Sequence, residues 1–326
     1  MNLHSAILAT FPGAILIEFS GTVASTWTAA IVVFLIGVLA AKNKFTQASG
    51  LDKVVVLGNL FFALPLAVFS AEHFAAAQGI STMVPSWMPW HLFWAYFVGF
   101  ALISAALSIA LRIQVAWSGT LLGIMFVLFV AMMDIPGVVA DSHNRISWTL
   151  ALRELAFAGG AWALAGSQQA EDGRPASDKF VILNGRFLSL LDFGKSLARL
   201  ARFMIAIPVI FYGVENFLHP VNVPGVPLEK LMPVWIPGRL LIGYLTAVVL
   251  VICGVSMLRA KKTRMAATYL GTWIVLLVLL VYLPILIASM LNPSTDVKVE
   301  GINYFFDTML FAGTILALAS ATPRTD

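Results

Sequence analysis

Two stretches of this sequence carry the side chains best suited to chemistry. Glu72, His73, Trp87 and His91 belong to one, and Glu215, His219 and Trp235 to the other. A carboxylate beside an imidazole can exchange hydrogen bonds with a carbonyl-bearing ligand such as a quinone, and imidazole is also a transition-metal ligand. Both stretches set a glutamate two residues before a phenylalanine (Glu72 and Phe74, Glu215 and Phe217) and then close a loop with a Pro-x-Trp-x-Pro clasp at 85–89 and 233–237. The two clasps fit a pair of related pockets that take a quinone or lipid-like molecule. No metal is assigned to them.

A structural reading competes at every one of these positions. Glu72 and Glu215 fall at predicted helix ends, where a carboxylate reaches water, and a histidine in a loop needs no ligand. Trp87 and Trp235, with Trp90, Trp94, Tyr96 and Tyr244 nearby, have amphipathic rings that settle at the headgroup layer. Each clasp also fits a stiff lid, because proline fixes φ and biases the residue before it away from helix.

The elements that position these residues follow from hydropathy. Of 326 residues 60% are hydrophobic and only 11% charged, too little polar surface for a soluble globule and enough apolar sequence to cross a bilayer repeatedly. About nine spans are predicted, near 23–41, 54–71, 91–111, 115–133, 148–165, 200–214, 240–258, 265–291 and 302–319. Residues 1–20 contain no lysine or arginine, and Pro12 and Gly13 interrupt their apolar run, so a cleaved signal is not expected and an interfacial segment is.

With nine spans and the amino terminus outside, most of the 20 lysines and arginines fall on the inner side. Arg145, Arg153, Lys230, Arg239 and Lys298 are the ones left outside. The positive-inside rule turns that bias into an orientation, with the carboxyl terminus cytoplasmic and both clasps on the outer face. The net charge of +4 is thus sorted by membrane side, and nucleic acid is not an expected partner. The single cysteine, Cys253, excludes an intramolecular disulfide or a CxxC relay.

The chain is a tandem repeat. Adding 148 maps Pro85, Trp87 and Pro89 to Pro233, Trp235 and Pro237, Tyr96 to Tyr244, Ser108 to Ser256, Gly123 to Gly271 and Pro136 to Pro284. Upstream, an offset of 143 maps Pro65 to Pro208 and Glu72 to Glu215; downstream, 154 maps Phe157, Ala158 and Gly159 to Phe311, Ala312 and Gly313. Each repeat holds four spans, an even number, so the copies run parallel about an axis along the membrane normal. The expected fold class is an all-α membrane protein with two parallel four-helix-bundle repeats and one extra amino-terminal helix. Its parts are 1–45 (interfacial segment and first span), 46–166 (repeat 1), a cytoplasmic linker at 167–196 that reads as a flexible tether, and 197–322 (repeat 2).

Two further pairs come from the repeat. Pro65 and Pro208 interrupt the same helix at the same register, which fits either packing or a broken-helix transport site. Arg153 and Asp307 are equivalent under the offset of 154, and opposite charges at equivalent sites can meet near the pseudo-twofold axis. Alternatively each snorkels outward.

ENFLHP at 215–220, the Pro-x-Trp-x-Pro loop, LLIGYLTA at 240–247 and NYFFDTMLFAG at 303–313 resemble the DoxX-like membrane proteins. AEHF at 71–74, MVPSWMPWHLFWAYFVG at 83–99 and WTLALRELAFAGGA at 148–161 are similar in repeat 1, so the resemblance covers roughly 54–319. It implies four-helix units in a bacterial inner membrane and, from some members, a quinone-facing subunit of respiratory electron transfer with other membrane or periplasmic subunits as partners. The chain departs from single-unit members by its duplication and by Tyr96 and Tyr244 standing where a glutamate follows the clasp. No catalytic residue is therefore carried over. The leading expectation is a redox-associated subunit that binds a quinone or lipid-like ligand through Glu72, His73, Trp87, His91, Glu215, His219 and Trp235. A small-solute carrier built on Pro65 and Pro208 and a non-catalytic assembly subunit are the alternatives.

Overall fold

Backbone polar groups inside a bilayer must be satisfied within the segment, so long apolar runs fold as helices. The computed structural model of the chain describes residues 21–171, 180–183, 186–226 and 228–324. The expected interfacial segment at 1–20 and the middle of the linker, 172–179, lie outside the described residues.

Helix α1 spans Gly21–Gln47 and α2 Asp52–Ala75, followed by a short α3, Ala77–Ser81. Helix α4 covers His91–Leu111. Helices α5 (Val115–Phe129) and α6 (Ile135–Ala140) are joined by a π-helical turn at Val130–Asp134, and α7 runs over Arg145–Glu171. A β-hairpin, β1 (Phe180–Leu183) with β2 (Arg186–Ser189), leads into α8, Leu190–Leu218. The second repeat continues with α9 (Arg239–Leu258), then α10 (Thr263–Leu277), a π-helical turn at Val278–Tyr282, α11 (Leu283–Met290) and α12 (Thr295–Ala321).

Among the described residues eight helical segments are long and apolar enough to cross a membrane, and the chain is a multi-pass membrane protein in contact with lipid. The ninth predicted span, α7, has 27 residues, about 40 Å at 1.5 Å per residue. It carries Arg153 and Glu154 and packs among α5, α8 and α12. The linker is shorter than expected, because 167–171 continue α7 and 190–196 already belong to α8.

The backbone repeats as closely as the sequence does. Trp90, Arg112 and Gln114 adopt left-handed φ of 57°, 59° and 56°, and Gly238, Ala260 and Lys262, each 148 positions later, adopt 68°, 53° and 52°. A non-glycine residue there costs about 1–2 kcal/mol, so its recurrence at one register reflects a tight helix-to-helix turn that the fold requires. Ser108 Oγ donates to the Ile113 carbonyl in one such turn and Ser256 Oγ to the Lys261 carbonyl in the other. The π-helical turns also match, each just before a proline, Pro136 and Pro284. Proline donates no N–H and its ring clashes with the carbonyl four residues back, so the helix widens by a residue to accommodate it. By contrast, Pro65 and Pro208 lie inside unbroken helices; the expected interruption occurs at the other proline pair.

The repeats do not hang from a tether. The first helix of each packs against the last helix of the other, α2 on α12 and α8 on α7, while α7 and α12 touch across the centre. A Cβ on Gly313 would meet the Phe62 backbone at 2.5 Å, and one on Gly159 the Met204 side chain at 3.0 Å. Gly160 and Thr314, equivalent under the offset of 154, touch each other, so that contact lies on the pseudo-twofold axis; a Cβ on Gly160 would stand 2.9 Å from Thr314 Cα. Helix α12 is the central strut, with 83% of its apolar window buried, against 22% for the span that begins at Val115.

The extra helix α1 breaks the symmetry. It packs on α2 so closely that a Cβ on Gly37 would meet Leu60 Cδ1 at 2.5 Å. Leu60 and Leu64 beneath it are 4% and 7% exposed, whereas their counterparts on α8, Phe203 and Ile207, are 41% and 48% exposed.

Candidate ligand cavity at the clasp end

A charged group inside the helical body is Arg153, on the third turn of α7. Its Nη1 donates to Asp307 Oδ2 of α12 at 2.5 Å and its Nη2 lies 3.5 Å from Glu154 Oε1. The two charges expected to meet at the axis do so. Asp134, at the end of the first π-helical turn, is within electrostatic range of Arg153 and Glu154. On α2, Glu72 accepts from Asn303, one turn before Asp307, whose amide nitrogen lies 2.8 and 3.0 Å from the two carboxylate oxygens when oriented as donor. Three carboxyl groups thus gather around one guanidinium, and Glu72 adjoins them through Asn303 and Asp307.

Three buried atoms of this cluster, Asp134 Oδ2, Arg153 Nε and Glu154 Oε2, have no hydrogen-bond partner in the protein. Such atoms are rare in folded interiors because leaving one unmatched costs about 1–3 kcal/mol. A cavity of about 540 Å³ has Arg153 and Asp307 in its wall, with Asn303, Tyr304, Thr22 and Leu228 also lining it. Asp296 and Glu300 stand on the outer turns of α12, and Lys230 pairs with Glu300 at 2.9 Å and lies over the Tyr304 ring.

The two clasp loops at this end of the molecule fold differently. The loop of repeat 2 doubles back as a tongue: Val223 N–H donates to the Lys230 carbonyl and Met232 N–H to the Val221 carbonyl, both at 2.9 Å. Its tip, 223–226, is buried. Tyr282 Oη donates to the Pro224 carbonyl at 2.7 Å, and Gly225 sits at φ +108°, a conformation open to glycine. The loop of repeat 1 forms α3 and a run of surface turns instead. The tongue contributes Leu228 to the cavity wall and fills the interior on its own side.

The residues expected to form two pockets are distributed otherwise. Glu72 adjoins the cavity through Asn303. His73 Nδ1 shares a 2.7 Å hydrogen bond with the Phe69 carbonyl of its own helix, and its Cβ packs on Gly99. His91 begins α4 and does not line the cavity. Glu215 is buried and pairs with Arg145 at 3.3 Å, with His219 Nε2 at 3.8 Å. Trp87 and Trp235 are 70% and 54% exposed and line nothing in the cavity, which fits interfacial anchors rather than lids. Among the described residues no group of three or more His, Cys, Asp or Glu side chains is placed to hold a metal.

Sequence reasoning missed Asn303, Tyr304, Thr22 and the tongue. One signal was available: Asp134 is an acid inside a long apolar span, a position that costs free energy and is retained for a reason. Fold and site together define an internally duplicated membrane protein, helical apart from one short hairpin, with a cavity walled in part by charged side chains at one end. No protein-family model matches the sequence, and no curated protein or solved structure matches the chain.

Proposed function

We propose that this protein is an inner-membrane subunit associated with respiratory electron transfer, of the DoxX-like kind that its clasp and helix motifs resemble, and that it binds a quinone or lipid-like molecule in the clasp-end cavity. The positive-inside bias supports placing that cavity at the outer leaflet, with the carboxyl terminus in the cytoplasm. The observation that carries the reading is the cavity itself, with the Arg153–Asp307 pair in its wall. Its volume lies in the range of small-molecule sites. A quinone carbonyl or a lipid ester accepts hydrogen bonds from a guanidinium, and a quinol hydroxyl donates to a carboxylate, so donor and acceptor needs both match the cluster. Tyr304, Leu228 and Val299 supply an apolar wall for a ring or chain.

The test is extraction of the purified protein with organic solvent and mass analysis of what it retained. Glu72→Gln and Asn303→Leu should each lower the retained amount several-fold, and Glu215→Gln should not. Equal retention in all three, in protein that still elutes as a single species, would refute the assignment.

A second reading, a small-solute carrier, is favoured by one observation: π-helical turns interrupt the same span in both repeats, beside the buried charges. Solute flux in reconstituted vesicles that persists after Pro136→Ala and Pro284→Ala would count against it.

A further inference from the structure

The internal repeat brings two equivalent pairs of side chains into comparison. Under the offset of 148, Tyr282 at the end of the second π-helical turn corresponds to Asp134 at the end of the first. Under the offset of 154, Thr308 of α12 corresponds to Glu154 of α7. The second π-helical turn packs on α12 and the first on α7. Each helix thus meets its turn through one pair, Thr308 with Tyr282 in one repeat and Glu154 with Asp134 in the other.

In repeat 2 both members are buried neutral hydroxyls within hydrogen-bonding reach of each other. Each donates its proton to a backbone carbonyl, Thr308 Oγ1 to Tyr304 at 2.9 Å and Tyr282 Oη to Pro224 of the tongue at 2.7 Å. In repeat 1 both members are carboxyls within electrostatic range of each other. Glu154 turns Oε1 to Arg153 Nη2, which leaves its Oε2 buried without a hydrogen-bond partner, and Asp134 Oδ2 is buried and unpartnered as well. Buried acceptors are seldom left unmatched.

The charged and titratable groups facing this pair are Arg153 on α7 itself, Asp307 on α12 and Tyr212 on α8. Arg153 divides its guanidinium between Asp307 and Glu154. Tyr212 Oη donates to the Thr149 carbonyl at 2.9 Å, so its proton is already placed. Glu72 on α2, Tyr304 and Tyr282 act on Asp307 from behind, and the Arg145–Glu215 ion pair lies about two turns further along α7. Helices α5 and α6, also packed here, carry no ionisable side chain. Two carboxylates side by side in a low-dielectric interior repel strongly. One proton between them removes that repulsion and matches both unpartnered oxygens through a single O–H···O⁻ hydrogen bond.

We infer that Asp134 and Glu154 together bind one proton, held between Asp134 Oδ2 and Glu154 Oε2 about two turns inside the clasp end of the helical body. The pair titrates as a unit rather than as two separate acids. An ionisable pair at such a depth is a place where a span takes up and releases a proton.

Infrared spectroscopy of the purified protein at neutral pH, in light and heavy water, tests it. Free carboxyls are ionised there, so a protonated-carboxyl C=O band that shifts on deuteration reports a held proton. One component of that band should vanish in Asp134→Asn, and the same component in Glu154→Gln, because an amide N–H then replaces the shared proton. It should persist in Glu72→Gln. The two amide variants are close in shape to the parent and should keep its thermal stability, which separates loss of the proton from loss of fold. A band absent from the unaltered protein overturns the inference whatever the variants do, since water or a monovalent cation bridging two carboxylates gives no such absorption. A component unchanged in both variants also overturns it, and one lost in a single variant does so by assigning the proton to one acid alone.

Discussion

The two clasp loops begin from the same sequence plan and end as opposites. In repeat 2 the loop turns inward and fills the space between its helices, fastened by Tyr282 Oη on the Pro224 carbonyl. In repeat 1 the loop forms α3 and surface turns and contributes only Ala76 to the cavity wall. The residue equivalent to Tyr282 under the offset of 148 is Asp134. One position, the last of each π-helical turn, therefore holds a phenol that anchors a plug in one repeat and a carboxylate within electrostatic range of Arg153 in the other. Duplication has supplied a symmetric frame, and the loops and this position depart from it.

The largest test of this comparison strikes the axis that the halves share. Arg153→Leu or Asp307→Ala leaves a buried charge without its partner and should cost about 3–5 kcal/mol, read as a fall in the midpoint of thermal unfolding in detergent. Because the two positions are equivalent, the exchanged pair Arg153→Asp with Asp307→Arg should recover much of that loss; no recovery would show that the environment is less symmetric than the backbone.

Next in size is Gly160→Leu at the self-contact with Thr314, where overpacking should cost about 1–3 kcal/mol by the same measurement. Stability equal to the parent would mean that α7 and α12 part easily. Tyr282→Phe strands the Pro224 carbonyl and should cost about 1–2 kcal/mol; its sharper readout is faster proteolysis or hydrogen exchange across 219–232, with α3 and its loop unaffected. The smallest effects belong to Trp87→Ala and Trp235→Ala, each expected within about 0.5 kcal/mol of the parent. A large change in retained ligand from either would restore the lid reading of the clasps.

Much of the frame was legible before any coordinates. Helix positions followed from apolar runs of bilayer length, and the offset of 148 carried over to the left-handed turn residues and the π-helical turns. The offset of 154 made Arg153 and Asp307 a candidate pair, with outward snorkelling as the alternative, and the structure joins them. Of the residues expected to meet a ligand, Glu72 reaches the cavity wall through Asn303, while His73, Trp87, His91, Glu215, His219 and Trp235 lie at helix ends, in an ion pair and on the exposed surface.

The sequence by itself determined the spans and the parallel duplication and offered a partner for the central arginine, since each rests on length, composition or register, which are properties of the chain read in one dimension. Only the tertiary structure decided which loop plugs the interior and which stays at the surface. That depends on contacts between residues distant in sequence, Tyr282 with Pro224, Asn303 with Glu72 and Leu60 beneath α1, and no spacing along the chain encodes where such pairs come together.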